Sequence, residues 1–302
     1  MSEQRRGFLL GVAAYLLWGL FPLYWPLLEP ATPLEILAHR IAWTLVVVVA
    51  LLALGGRMGR LRAVLADPAR RWTLASAAVL IAANWFAYIW GVNNERVVET
   101  ALGYFITPLV TVLLGVLVLH ERLRPLQWAA LGMASVAVVW LTVEYGRLPW
   151  VAMVLAGSFA AYGLAKKQAG VGAVEGLTVE TVVLAPAALL YLATLQGSGE
   201  AAFGQYGAGH VLLLVGTGVV TAVPLLCFGA AATRVPLTTI GLLQYIAPMA
   251  QFLLGVFVLH EDMTAARWGG FVLVWLALAI FTSEALARHR RQLRLAADAA
   301  AV

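Results

Sequence analysis

The sequence predicts an all-α integral membrane protein with ten transmembrane helices, arranged as two inverted repeats of five helices each. Three observations support this fold class. Hydrophobic residues make up 62% of the chain and charged residues only 12%, whereas about 25% of the residues of an ordinary soluble domain are charged. Ten apolar stretches are long enough to cross a bilayer. In addition, a nine-residue segment occurs twice with a single difference.

The apolar stretches have the length of membrane-spanning helices, which need about 20 mostly apolar residues. Strands of a membrane β-barrel would instead alternate in polarity over about ten residues. Little sequence remains outside the stretches for a soluble domain. The predicted spans are residues 7–27, 33–54, 72–92, 98–119, 125–143, 148–166, 174–194, 209–232, 237–259 and 266–284.

The positions of lysine and arginine predict that both termini are cytoplasmic, because cytoplasmic loops carry the excess of these residues. With the N-terminus inside, 16 of the 20 lie in cytoplasmic segments. Only Arg96, Arg147 and Arg267 lie in the opposite connections, which form the predicted outer face. The net charge of +5 is thus explained by topology, and we predict contact with membrane lipid but not with nucleic acid.

The repeated segment indicates internal inverted symmetry. LLGVLVLHE at 113–121 and LLGVFVLHE at 253–261 share eight of nine residues and lie 140 residues apart. The first copy ends span 4 and the second ends span 9, so the two copies would run in opposite directions. This predicts one five-helix repeat over 1–146, an inverted copy over 147–286 and a basic cytoplasmic tail over 287–302. Inverted repeats typically place a binding site between the halves near the bilayer midplane.

Several segments carry a family resemblance. They include AAYLLWGLFPLYW (13–25), EILAHRIAW (35–43), NWFAYIWGVNNERVVETALGYFITPLV (84–110) and LLQYIAPMAQFLLGVFVLHE (242–261). In these the chain resembles the EamA branch of the drug/metabolite transporter superfamily and, within it, the bacterial RarD family. The resemblance implies a permease of the bacterial inner membrane for a drug such as chloramphenicol, an amino acid or another metabolite.

Helical periodicity suggests which side chains line a central cavity, since positions three, four and seven apart share a face. A mid-span proline is tolerated where a cavity or neighbouring groups satisfy the freed backbone, so we predict Pro108 and Pro248 as helix hinges. The alternative is that the polar groups on these faces only bond across helices. The predicted substrate-binding residues are Tyr15, Trp18, Asn84, Tyr88, Tyr104, Thr111, Ser158, Tyr162, Gln244 and Gln251.

For single aromatic residues near span ends, the interfacial belt is the competing interpretation. We assign Trp25, Trp72, Trp90 and Trp128 to that belt. Trp25 also has a place among the cavity candidates of span 1. Thr217 and Thr221 share one face of span 8 and are further cavity candidates.

Ionisable residues within spans are functional candidates because burying them in a membrane is costly. We predict gating or coupling roles for His39, Arg40, Glu99 and Glu180. Arg40 and Glu99 could form an ion pair that gates the outer face, or Arg40 could bind the carboxylate of a zwitterion. A structural pair, or an Arg40 that reaches the headgroups, is the alternative. His39 or Glu180 could couple transport to protons, against a purely structural role.

The remaining polar residues predict no cofactor, metal site or catalytic centre. His120–Glu121 and His260–Glu261 lie at opposite membrane faces, and Glu121 and Glu261 are interpreted as anchors that bond to loop amides or basic groups. Lys166 and Lys167 are interpreted as inner-face anchors. No phosphate-binding GxxxxGK[ST] segment occurs. We therefore predict a secondary carrier, most simply an exporter, with an intramembrane enzyme on a lipid-linked substrate or a non-transporting sensor as alternatives.

Overall fold

The computed structural model describes residues 3–119, 125–144, 146–232, 234 and 243–300. These residues form helices joined by turns, and no β-strand occurs among them. The all-helical class is therefore confirmed for the described chain. Its helices are α1 (Glu3–Gly19), α2 (Pro33–Leu54), α3 (Met58–Ala66), α4 (Pro68–Asn93), α5 (Val97–Leu119), α6 (Pro125–Glu144), α7 (Trp150–Ala169), α8 (Ala173–Ser198), α9 (Gly207–Ala232), α10 (Ile246–Phe257) and α11 (Ala265–Ala300).

Seven described helical segments are long and apolar enough to cross a membrane, and three shorter apolar segments lie in α5, α7 and α10. Large apolar side chains point away from the protein along these helices. Leu54, Val143 and Trp72 are 87%, 77% and 75% exposed, which is a surface suited to lipid and rare on soluble proteins. The chain is thus a multi-pass membrane protein, and the ten-helix inverted arrangement stays a prediction.

The starts of α2 and α4 follow directly from their sequences. Thr32 precedes α2, and its Oγ1 accepts a hydrogen bond from the Glu35 amide at 3.2 Å. Asp67 precedes α4 and accepts from the Ala69 amide at 3.0 Å. Each capping residue is followed by a proline, whose fixed φ and missing N–H suit the first helical position.

The first predicted span is shorter as a helix than the sequence suggested. The α1 helix ends at Gly19, and two 3₁₀ turns, Phe21–Leu23 and Trp25–Leu28, complete the passage. Pro22 and Pro26 lie inside these turns. Each proline lacks the N–H that would continue an α-helix. The stretch is apolar as predicted, but the α-helix covers only its first part.

Span 9 also differs from its prediction. The described helix α10 begins only at Ile246, and Pro248 is its third residue. A proline in the first turn breaks no intrahelical bond, so Pro248 does not occupy a mid-helix hinge here. The beginning of the predicted span, residues 237–242, lies outside the described residues. Pro108, by contrast, lies inside α5.

The helices pack around two large apolar cores. The first contains Trp25, Ile36 and Ile89 and lies between α2, α4, α8 and α9. The second is centred on Phe105 and Phe252 and lies between α5, α6, α10 and α11. Helix contacts occur between α2 and α4, α2 and α8, α2 and α9, α4 and α7, α4 and α8, α5 and α7, α5 and α10, α1 and α9, α1 and α10, and α6 and α11.

Two glycines allow the closest helix approaches. A Cβ at Gly218 of α9 would lie 2.5 Å from the carbonyl carbon of Trp43 in α2. A Cβ at Gly103 of α5 would lie 2.9 Å from the carbonyl oxygen of Ala152 in α7. In both places the obstacle is backbone, so a larger residue would push the two helices apart.

Candidate functional site

A cluster of polar side chains joins α4, α5 and α7 inside the bundle. The Asn84 amide donates to Ser158 Oγ at 3.1 Å and to the Leu155 carbonyl at 3.1 Å. The Tyr104 hydroxyl donates to Asn84 Oδ1 at 3.2 Å. The rings of Tyr88 and Tyr104 lie 5.7 Å apart. The structure thus brings together four of the side chains that the sequence assigned to substrate binding, and we call Asn84, Tyr88, Tyr104 and Ser158 the central cluster.

A row of aromatic rings leads from the central cluster to a buried ion pair. Phe159 contacts Tyr104, with ring centroids 6.1 Å apart, and Tyr162 on its other side, at 6.0 Å. The Tyr162 hydroxyl donates to Glu180 Oε2 at 3.1 Å, and Lys166 Nζ lies 2.7 Å from Glu180 Oε1. Glu180 is fully buried. Lys166 therefore serves as its counter-ion and is more than an inner-face anchor.

The candidates on α1 and α10 form a second group. The rings of Tyr15 and Trp18 lie 5.3 Å apart, and Gln251 Nε2 donates to the Trp18 carbonyl at 3.1 Å. Trp18 also packs against the first apolar core, which includes Tyr88. Gln244 lies in a turn that precedes α10. Gln244 is therefore not on the face of α10 that the helical periodicity assigned to it.

Thr111 lies apart from both groups. It is exposed, and its hydroxyl donates to the Thr107 carbonyl at 2.9 Å. Thr107 in turn donates to the Gly103 carbonyl at 3.0 Å. Both threonines thus bond to backbone carbonyls of their own helix, on the N-terminal side of Pro108.

Arg40 lies in an aromatic cage. Its guanidinium carbon is 4.0 Å from the ring centroid of Trp85, 5.1 Å from that of Trp25 and 5.8 Å from that of Phe21. Its Nε donates to Thr221 Oγ1 at 2.9 Å. Arg40 is only 4% exposed, so it does not reach the headgroups. The assignment of Trp25 to the interfacial belt is wrong, because this ring is fully buried against Arg40.

His39 points to a different surface from the central cluster. Its ring stacks on Phe203 at 4.8 Å, and its Nδ1 accepts from Trp43 Nε1 at 3.3 Å. It lines a largely apolar groove of about 440 Å³ between α2 and α8, together with Leu45 and Leu192. Whether His39 carries a coupling proton stays a prediction.

The predicted ion pair between Arg40 and Glu99 is not formed. Glu99 pairs instead with Arg147, whose Nη2 lies 2.9 Å from Glu99 Oε2. The other carboxylate oxygen accepts from the Val151 amide at 3.1 Å, at the start of α7. An acidic group at a helix N-terminus is favoured by the exposed amides and the helix dipole. The spacing of residues within the predicted spans could not reveal the ion pair between Glu99 and Arg147, because Arg147 belongs to a connection between helices.

Glu261 bonds to loop-end amides, as the sequence suggested. Its carboxylate accepts from the amides of Val97 and Val98, the latter at 3.0 Å, at the start of α5. Burial raises the pKa of Glu261 above its ordinary value. It borders a polar cavity of about 420 Å³ that also touches Glu99. The matching residues His120 and Glu121 lie outside the described residues.

Further bonds at the predicted outer face were not foreseen. Glu35, which is almost fully buried, accepts from the amides of Ala202 and Phe203 at 2.8 and 3.2 Å. The Tyr24 hydroxyl donates to the Leu213 carbonyl at 2.6 Å. We call Glu35, Glu99, Arg147 and Glu261 with their bonded amides the outer-face network. Glu35 in the first turn of α2 and Glu99 in the first turn of α5 were the sequence features that could have indicated these bonds.

Within the described residues, no three His, Cys, Asp or Glu side chains are grouped so that they could hold a metal ion. Three buried ionisable side chains of the bundle each have partners of their own: Glu180 has Lys166 and Tyr162, Glu99 has Arg147 and the Val151 amide, and Arg40 has Thr221. The arrangement offers hydrogen-bonding groups and aromatic faces to a solute.

Comparisons with known proteins agree with this architecture. A model of the EamA-like transporter family matches residues 5–143. A RarD protein of Streptomyces exfoliatus is 55% identical over 291 residues, which cover 96% of this chain and 92% of that protein. An uncharacterized transporter of Pseudomonas aeruginosa is 42% identical over 290 residues, covering 96% and 97%. A solved crystal structure is similar in fold, with a TM-score of 0.60 at 21% identity over 91% of this chain and 96% of that one.

Proposed function

Because this chain belongs to the EamA-like transporter family and is of the RarD type within it, we propose that it is a secondary transporter that works by alternating access. Its cargo is a small amphipathic metabolite, an amino acid or a drug such as chloramphenicol. The two halves, residues 1–146 and 147–286, rock against each other around a site between them. Both termini lie on the cytoplasmic side of the bacterial inner membrane, where the basic tail over 287–302 contacts lipid.

The helix contacts support an inverted repeat. Spans 1 to 5 correspond to α1, α2, α4, α5 and α6, and spans 6 to 10 to α7 through α11. Exchanging each helix with its counterpart converts the α5–α7 contact into α10–α1, the α4–α7 contact into α9–α1, and the α2–α9 contact into α8–α4. The contacts α2–α8, α5–α10 and α6–α11 convert into themselves. Every one of these contacts occurs, as a two-fold axis between the halves would require.

The observation that carries the proposal is the bond between Asn84 and Ser158, which joins the two halves at 3.1 Å in the central cluster. Polar groups are costly inside a membrane bundle and tend to mark substrate pathways. Tyr88 and Tyr104 add hydroxyl groups and aromatic faces at the same place. This combination suits a small solute with both polar and apolar parts.

In the proposed cycle the carrier is an exporter, and the outer-face network closes its outer face while the solute is loaded. Glu261 at the end of α10 holds the start of α5, and Glu99 of α5 holds the start of α7. The helices that face each other across the halves are thus fastened together at their outer ends. A carrier in this conformation would load its solute from the cytoplasm. Coupling to protons would fall to His39 or Glu180, two of the ionisable groups buried in α2 and α8.

The proposal is tested by flux into proteoliposomes. Purified protein is reconstituted, and uptake of labelled amino acids, chloramphenicol and related amphipathic compounds is measured with and without a pH gradient. Tyr104→Phe removes only the hydroxyl that bonds Asn84, and Tyr206→Phe removes an exposed hydroxyl as a matched control. We expect at least one compound to move, more slowly in Tyr104→Phe and unchanged in Tyr206→Phe. Binding without flux would favour a sensor, and conversion of the compound would favour an enzyme.

A further inference from the structure

Arg40 is a buried cation that holds the two halves together. It lies in α2, and its only hydrogen bond to the described residues is the one from Nε to Thr221 Oγ1 of α9, at 2.9 Å. Its guanidinium is otherwise faced by the rings of Trp85, Trp25 and Phe21. Because Arg40 and Thr221 belong to different halves, their bond lies between the halves, as do the cargo sites of inverted-repeat carriers.

The charge of Arg40 has no counter-ion in the described part of the chain. Three buried carboxylates of the neighbouring elements are used elsewhere. Glu35, five residues earlier in α2, accepts from two amides of the α8–α9 connection. Glu99 pairs with Arg147 and Glu180 with Lys166. Burying a charge costs free energy unless the charge is paired, and aromatic faces return only part of that cost.

Two hydrogen-bonding groups near Arg40 lack a partner in the described part of the chain. The Tyr88 hydroxyl and the Trp25 ring N–H are buried and have no hydrogen-bond partner. Tyr88 is 2% exposed. Its ring lies 6.4 Å from the ring of Phe21, which itself faces Arg40. A positive charge beside unused donors is complementary to a negatively charged oxygen group.

We propose that Arg40 binds the carboxylate of the transported solute, so that the cargo is an amphipathic carboxylate, either an anion or a zwitterion. A single guanidinium matches a single negative charge, whereas a doubly charged phosphate monoester would keep one charge unpaired. The Tyr88 and Trp25 donors complete the coordination of the carboxylate. The rings of Trp85 and Phe21 contact the apolar part of the solute. The inference rests on the proposed carrier function, because a buried site needs alternating access to be loaded and emptied.

The site is tested with compounds that share one skeleton and differ in charge: 3-phenylpropionate, phenylalanine, 3-phenylpropanamide and phenethylamine. Binding to the purified full-length protein is measured by calorimetry and by the shift in thermal unfolding. We expect the two carboxylates to bind. The amide and the amine should bind at least about tenfold more weakly, because they cannot form the hydrogen-bonded charge pair with Arg40. Equal binding of the amide and 3-phenylpropionate would overturn the proposal.

Variants of Arg40 separate substrate binding from a structural role. Arg40→Gln should abolish the preference for carboxylates, and Arg40→Lys should keep the preference with weaker binding because a lysine lacks the planar fork. Arg96→Gln is the matched control, since this arginine also stacks on a tryptophan, 4.8 Å from the ring of Trp90. A purely structural Arg40 would lower the melting temperature of the ligand-free Arg40→Gln protein and leave its carboxylate preference unchanged, which would overturn the inference.

The outcomes distinguish this inference from the carrier function itself. Flux of neutral or cationic compounds that persists in Arg40→Gln would keep the carrier and reject the carboxylate site. Carboxylate binding that depends on Arg40 but produces no flux in proteoliposomes would keep the site and reject the carrier. If no carboxylate shows binding that depends on Arg40, the inference is wrong.

Discussion

Replacing Arg147 by glutamine tests whether the ion pair at the predicted outer face holds the two halves closed. Arg147 Nη2 lies 2.9 Å from Glu99 Oε2, and the Glu99 side chain is only 2% exposed. Arg147→Gln removes the cation but keeps a side chain of similar reach. The Glu99 carboxylate then remains buried without its charged partner. We expect the closed state to lose stability relative to an outward-open state in which water reaches Glu99.

The size of the effect follows from the exposure of the two partners. A hydrogen bond to a charged group contributes about 1.5–3 kcal/mol, and solvent screening lowers the value for exposed pairs. Arg147 is 37% exposed, so we take the lower end of that range. Since about 1.4 kcal/mol corresponds to a tenfold change in an equilibrium constant, the open population should rise about tenfold.

A buried cysteine reports the opening. Ala101→Cys is introduced into a protein in which Cys227, the single native cysteine, has been replaced by alanine. Ala101 is fully buried one turn after the start of α5, so a membrane-impermeant thiol reagent added outside the cell should label it only when the outer face opens. Arg147→Gln should raise the labelling rate about tenfold. An unchanged rate, or an equal rise in the control Arg96→Gln, would refute the reasoning.

Three further outcomes follow from individual contacts. Gly218→Ala should lower the melting temperature in detergent, because its Cβ overlaps the backbone of α2 and overpacking costs about 1–3 kcal/mol; Gly132→Ala, which meets no atom within 4 Å, should not. Lys166→Met should destabilise the protein by leaving Glu180 buried and unpaired, and adding Glu180→Gln should restore much of the melting temperature. Burial raises the pKa of Glu261 above 4.5, so the closed outer face binds this proton more tightly than the open one. Closure is therefore strongest at acid pH, and labelling of the buried cysteine should increase as the pH rises through the raised pKa, a dependence that Glu261→Gln should remove.

The apolar periodicity and the repeated segment were sufficient to predict the helical membrane class and the approximate position of each long helix. They failed where local chemistry overrides apolar composition. Pro22 and Pro26 end α1 early in a stretch that is as apolar as its neighbours, and the sequence before Ile246 does not show where α10 begins. Hydropathy measures partition into lipid, and it carries little information about where a helix stops.

Partners of buried charges were the least predictable part of the site. Asn84, Tyr88, Tyr104 and Ser158 converge as their helical faces suggested, because residues on one face of a helix share one neighbour. Glu99, however, pairs with Arg147 from a connection rather than with an arginine on the same membrane level. Such pairing depends on how helix ends meet in three dimensions, which residue spacing within single helices does not encode.

Solute counterflow tests the central claim most directly. Proteoliposomes are loaded with a high concentration of an unlabelled compound that the protein transports, and are then diluted into a trace of the labelled compound. A carrier that alternates between two faces carries unlabelled compound out and returns with labelled compound. The label therefore accumulates transiently inside above its external concentration. We predict such an overshoot, reduced in Tyr104→Phe. Label that only equilibrates across the membrane, without an overshoot, would contradict alternating access.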